Sequence, residues 1–237
     1  MFFDSSYMIL IGFGLLLTAL PQLWVRNTYQ KYTKVPAKMG LTGADVARKI
    51  LAENNITDVS VESVAGELSD HYDPSVKVVR LSEKIFSGRT VSSASIAAHE
   101  VGHAIQDNRG YYPMKIRAGL FPAVNFGQTL GPWLMIIGIM LRSSAHFGFG
   151  DQIAILGLMF YASVFLFQVI TLPVEINASL RALKALTDGG YLAEGDELSG
   201  GKRVLTAAAC TYIAAALYSL LELAYWAWRV FGSRNRD

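Results

Sequence analysis

The chain has 237 residues, 52% of them hydrophobic and 17% charged, and a mean hydropathy of +0.31. Soluble domains carry nearer a quarter charged residues, so the balance points to a membrane protein. The formal net charge of +2 gives no case for nucleic acid. The single cysteine, Cys210, excludes an intramolecular disulfide and reads as a packing residue in an apolar run.

Four stretches are long and apolar enough to span a bilayer: residues 7–24, 120–141, 153–172 and 204–228. Asp4, not a basic residue, precedes the first, and no small-x-small cleavage site follows it. It therefore reads as an uncleaved anchor rather than a signal peptide. Arg26, Lys31, Lys34 and Lys38 come directly after it. Arg109, Lys115 and Arg117 precede the second span, and Arg181, Lys184, Lys202 and Arg203 lie between the third and fourth. Only Arg142 sits between the second and third. This pattern places both larger loops in the cytoplasm. Arg229, Arg234 and Arg236 in the tail run against it and are outvoted.

Residues 25–117 are the only stretch between spans large enough for a subdomain. Residues 43–52 read as a short helix, 58–64 and 75–81 as valine-rich strands, and 69–74, "SDHYDP", as a turn. Residues 92–107 read as a second helix. The expected organisation is an anchor at 1–25, a soluble α+β subdomain at 26–117, and spans at 118–142 and 152–172. A further helix and loop follow at 173–203, then a fourth span at 204–228 and a tail at 229–237. The fold class is a mainly α integral membrane protein: four transmembrane helices with a small α+β subdomain.

The second helix holds His99, Glu100 and His103, spaced H-E-x-x-H. Positions i and i+4 share a helix face, so both imidazoles can reach one metal ion. Glu100 lies about 100° further round, placed to act as general base on a water. The neighbours Ile96, Ala97, Ala98, Val101, Gly102, Ala104 and Ile105 are uncharged, which marks a buried helix. Burying two histidines and a glutamate without partners costs several kcal/mol, and a metal removes most of that cost. Glu100 and His103 also form Glu-x-x-His, the spacing of carboxylate-bridged di-iron bundles, but no second such pair exists in the chain.

A catalytic zinc takes three protein ligands and keeps one open position. Topology prunes the candidates for the third. His146 falls between the second and third spans, on the opposite side from His99. Glu222 lies deep in the fourth span, and Asp107 two turns beyond His99 on the same helix. Glu175 follows the third span and returns to the side of His99 and His103. Ala178, Ser179 and Ala182 share its face, small enough for close approach to Gly102 and Ala98. The alternative for Glu175 is an ion pair with Arg181 or Lys184. His71 competes with it as third ligand.

The segments "AAHEVGHAIQ", "SDHYDP" and "LPVEINASLRAL", in this order, resemble the bacterial inner-membrane family of neutral zinc metallopeptidases. The likeness covers nearly the whole chain, including "LTGADVARKIL" and "AAACTYIAAAL". It implies a zincin-like subdomain, with His99 and His103 as zinc ligands and Glu100 as base. A more distant similarity links the chain to membrane quality-control metallopeptidases, whose glutamate ligand sits in a Glu-x-x-Ala-Asp helix. Glu175 and Ala178 fit that pattern, and Ser179 stands in place of the aspartate.

In zinc peptidases of this kind an edge strand beside the metal helix holds extended substrate, and "VKVVRL" is the candidate here. A nearby His or Tyr can stabilise the oxyanion, which makes His71 and Tyr72 candidates. The alternative is a turn held by Asp73 and Pro74. The reading is a membrane-embedded, zinc-dependent endopeptidase with one zinc per chain held by His99, His103 and Glu175. Its expected partners are a polypeptide substrate and the lipid bilayer, with the site on the cytoplasmic face. A metal-stabilised scaffold without protease activity is the competing class, and it needs a fourth ligand such as His71 or Asp73. A small transporter is the third class. Glu222 is its main support, being almost the only ionisable residue within the spans.

Overall fold

A computed structural model describes residues 5–142 and 148–232. Asp4, His146, Arg234 and Arg236 lie outside the described residues, as does the side chain of Arg142. In chain order the elements are α1 (Ser5–Tyr32), α2 (Gly43–Glu53), β1 (Ser60–Val64), β2 (His71–Asp73) and β3 (Val78–Ser82). They continue with α3 (Glu83–Ser87), α4 (Val91–Asn108), α5 (Tyr112–Arg142), α6 (Phe149–Asp188) and α7 (Asp196–Gly232). Helices α1, α5, α6 and α7 are long and apolar enough to cross a membrane. The fold is mainly helical, with four candidate spans and one three-stranded sheet.

The chain divides into two compact units. The first comprises Met1–Leu20, Lys115–Leu172 and Tyr212–Asp237. Its core holds Met135, Leu158, Tyr161 and Trp226. Glycines bring α5 and α6 together: a Cβ on Gly157 would lie 2.7 Å from the Met135 amide nitrogen. Glu222, on α7, accepts a hydrogen bond from the Tyr161 hydroxyl on α6.

The second unit comprises Pro21–Met114 and Pro173–Thr211. Thr42 and Asp45 form a reciprocal capping box at the start of α2, with bonds of 3.0 and 3.1 Å. Val46 and Ile50 of α2 pack with Val79 and Leu81 of β3, Ile85 of α3, Val101 of α4, Leu186 of α6 and Leu205 of α7. Each such side chain contributes roughly 1.5–3 kcal/mol on burial. The opening residues of the fourth apolar stretch, Val204 and Leu205, thus belong to this core. Helix α6 runs unbroken through Pro173. At 1.5 Å per residue its forty residues extend about 60 Å, twice the hydrocarbon thickness of about 30 Å, so the helix carries the Glu175 turn as well as a span.

The sheet order is β1-β3-β2, with β1 parallel and β2 antiparallel to β3. Two expectations are corrected here. The "SDHYDP" segment is not simply a turn: His71–Asp73 is strand β2, paired His71 to Arg80, Tyr72 to Val79 and Asp73 to Val78. The turn comes after it, at residues 74–77, where Asp73 Oδ1 accepts the Ser75 amide at 3.0 Å and the Ser75 hydroxyl. These bonds and Arg80 hold the Asp73 carboxyl down at about 2. The "VKVVRL" strand is central rather than at the edge. Val78, Val79, Leu81 and Ser82 are buried because β3 has a neighbour on each side, and β2 is an edge strand.

Helix α4 buries fourteen of its eighteen residues. It approaches α6 tightly at Gly102, where a Cβ would lie 2.6 Å from the Ala178 carbonyl oxygen. Gly102→Ala therefore sets two effects against each other. Alanine gains about 1 kcal/mol in helix propensity, while overpacking against backbone costs about 1–3 kcal/mol. The expected result is a lower thermal unfolding midpoint than wild type, despite the better helix former.

Candidate metal centre

Three side chains converge between α4 and α6. His99 and His103 project from successive turns of α4, their ring centroids 4.8 Å apart and nearly perpendicular. Glu175 of α6 faces them. Its Oε2 lies 3.3 Å from His99 Nε2 and 3.5 Å from His103 Nε2. The Glu175 side chain is 3% exposed, and the two histidine side chains 12% and 11%. Among the described residues this is the one group of three or more His, Cys, Asp or Glu side chains close enough to hold a metal ion.

The donor set and spacing fit zinc. Two ligand atoms on a tetrahedral ion with bonds of about 2.0–2.1 Å stand about 3.3 Å apart. The two Nε2–Oε2 separations match that value. Two imidazoles and one carboxylate are a familiar donor combination for a catalytic zinc with an open position.

The far side of each imidazole is also held. His103 Nδ1 lies 3.0 Å from Gln106 Oε1. Gln106 Nε2 donates to the Val174 carbonyl at 2.8 Å and to Asn177 Oδ1 at 3.0 Å. A carbonyl only accepts, so the Gln106 amide nitrogen is committed to Val174 and its oxygen faces the imidazole. Nδ1 of His103 then carries the proton, and the Nε2 lone pair points to the metal position. His99 Nδ1 lies 3.2 Å from Ser179 Oγ, a hydroxyl able to accept from Nδ1 in that same tautomer. Ser179 therefore occupies the supporting position behind His99.

Burial alone pushes the His103 pKa down. The Glu175 carboxylate and the Glu100 charge act the other way, as does the bond to Gln106, and the net direction is up. Glu100 is 8% exposed and its side chain forms no hydrogen bond to protein among the described residues. Its neighbour Asp70 accepts the Ser82 amide at 2.7 Å and the Ser82 hydroxyl at 3.1 Å. Burial and the Glu100 charge hold the Asp70 carboxyl above its ordinary value.

The expected ion-pair alternative for Glu175 has other partners: Arg181 donates to Asn177 Oδ1 at 2.7 Å, and Lys184 meets Asp188 at 2.6 Å. His71 stands outside the cluster. It is exposed on β2, its Nδ1 2.8 Å from the Ser69 carbonyl and its Nε2 3.4 Å from Arg80 Nη1. Tyr72 is buried and donates its hydroxyl to Asp107 Oδ2 at 2.8 Å. Gln106, Asn177 and Asp70 were not singled out from sequence. For the first, the sequence offered only a polar residue one turn beyond His103 in an otherwise apolar run.

The sequence profile of the family described as "Putative neutral zinc metallopeptidase" matches residues 7–230. Over 202 residues the chain is 47% identical to "Putative membrane protease YugP" of Bacillus subtilis (strain 168), covering 85% of this chain and 86% of that protein. No solved structure matches it. A match over almost the whole length, joined to two histidines and a glutamate on one metal position, identifies the chain as a member of this neutral zinc metallopeptidase family.

Proposed function

We propose that the protein is a membrane-embedded zinc endopeptidase, holding one zinc per chain through His99, His103 and Glu175 and using Glu100 as its general base. The convergence of His99 Nε2 and His103 Nε2 on Glu175 Oε2 carries this reading. When bound, zinc supplies Lewis acidity, polarising a scissile carbonyl and acidifying water. Glu100 has no protein partner to displace, so its carboxylate is free to take a proton from water and deliver it to the leaving amine. The β2 edge leaves one side of its backbone for an extended polypeptide, which it would hold by strand addition. Substrates are polypeptides, membrane-resident or misfolded. The run of Arg26, Lys31, Lys34 and Lys38 after the first span supports a bacterial inner-membrane location with the site on the cytoplasmic face.

A closed structural zinc site, as a scaffold requires, would need a fourth ligand. Neither His71 nor Asp73 joins the cluster among the described residues, which disfavours that class.

The first test compares zinc per chain and peptide hydrolysis in purified protein. Glu175→Ala should lose most of its zinc. Glu100→Gln should keep zinc at the wild-type level while hydrolysis falls by about 10²–10⁴-fold, the usual worth of a general base. Full activity in Glu100→Gln would refute the mechanism, and undiminished zinc in Glu175→Ala would refute the ligand set.

Zinc binding should also weaken in acid. The His103 pKa is raised in the metal-free site, so protons compete with the ion from above the ordinary histidine range downward. Apparent affinity should fall about tenfold per pH unit for each proton displaced, as read by competition with a chromogenic chelator.

The oxyanion role falls to Tyr72 or His71 only if one exchanges its present partner. Tyr72→Phe and His71→Ala separate them. The residue that serves should lower kcat with zinc content unchanged, while the other variant stays near wild type.

A further inference from the structure

Apart from the metal cluster, one cleft in the second unit carries charge that the fold does not use. It lies where the ends of α4 and α6 meet the end of α2. Glu53, Asn54, Arg109, Arg181, Lys184 and Asp188 line it, around a volume of about 190 Å³. One of its three cations is already neutralised, since Lys184 pairs with Asp188. Glu53 accepts the Tyr191 hydroxyl.

The two arginines are different. Among the described residues neither Arg109 nor Arg181 forms an ion pair. Arg181 gives Nε to Asn177 and also lines the cleft. Arg109 makes one long contact, 3.4 Å, to Asn54 Oδ1. The two guanidinium groups are near enough to repel each other, and Arg181 is half-buried. A guanidinium does not shed its proton in a protein, so both charges persist, and of the two carboxylates in the lining Asp188 is paired with Lys184 and Glu53 is bonded to Tyr191.

We infer that the cleft binds a phosphate group. A guanidinium fork takes two oxygens of an oxyanion. A carboxylate offers its lone pairs from two oxygens in a single plane. A tetrahedral phosphate has four, enough for Arg109 from the end of α4 and Arg181 from α6 together. The volume accepts the group with part of whatever carries it. The source is either soluble phosphate or a phospholipid headgroup. The inference stands apart from the peptidase reading, since no metal ligand takes part.

The test uses full-length protein in phosphate-free maltoside micelles, as wild type, Arg109→Gln, Arg181→Gln and the control Lys38→Gln. One arm titrates inorganic phosphate by calorimetry. The other adds phosphatidylglycerol to the micelles and measures the lipid retained by the protein, by native mass spectrometry. Saturable binding in either arm that weakens at least tenfold in both arginine variants and not in the control supports the site, and the arm that shows it identifies the source. Binding in neither arm, or binding indifferent to both arginines, overturns it. Arg109 is exposed at the helix end, so its variant keeps the test valid if Arg181→Gln unfolds.

Discussion

The contact between Gly102 of α4 and the backbone of Ala178 on α6 is the constraint on which the site depends. A side chain at position 102 would push the two helices apart. Without that approach, Glu175 could not come within 3.5 Å of both histidines. Ala98, Ala178 and Ala182 extend the same low surface, and all are almost fully buried. Every hydrogen bond that orients the ligands crosses or borders this contact. Gln106 reaches Val174 and Asn177, and Ser179 reaches His99.

Much of this was legible in the residues themselves. The H-E-x-x-H spacing placed two imidazoles on one helix face because helical geometry is local. Glu175 emerged by elimination, since parity of membrane crossings discards His146 and depth discards Glu222. The small residues around both helices forecast their close approach. What stayed hidden depends on contacts between distant segments. Strand β2 is three residues long and rich in polar side chains, so no alternation marks it, and pairing with β3 alone makes it a strand. The "VKVVRL" segment was recognisable as a strand, but its central position was not, because that needs the parallel partner β1. Gln106 had the look of a helix polar residue. Its task is visible only once α6 supplies Val174 and Asn177.

Asn177 sits at the meeting of two systems. Its Oδ1 accepts from Gln106 on the metal side and from Arg181 on the cleft side. A charge change in the cleft is thus two hydrogen bonds away from the group that backs His103. Within two turns α6 carries the candidate ligand and the serine behind His99 on one face, and the cleft arginine on another.

The partners behind the imidazoles have a consequence for electron donation. Many zinc histidines are backed by a carboxylate, which draws on the Nδ1 proton and gives the ring partial imidazolate character. Ser179 and Gln106 are neutral, so the two rings here remain plain imidazoles and donate less density through Nε2. Glu175 then supplies the sole formal negative charge of the ligand set. A zinc ion held this way would keep more of its positive charge and would leave more readily than one whose histidines are backed by carboxylates.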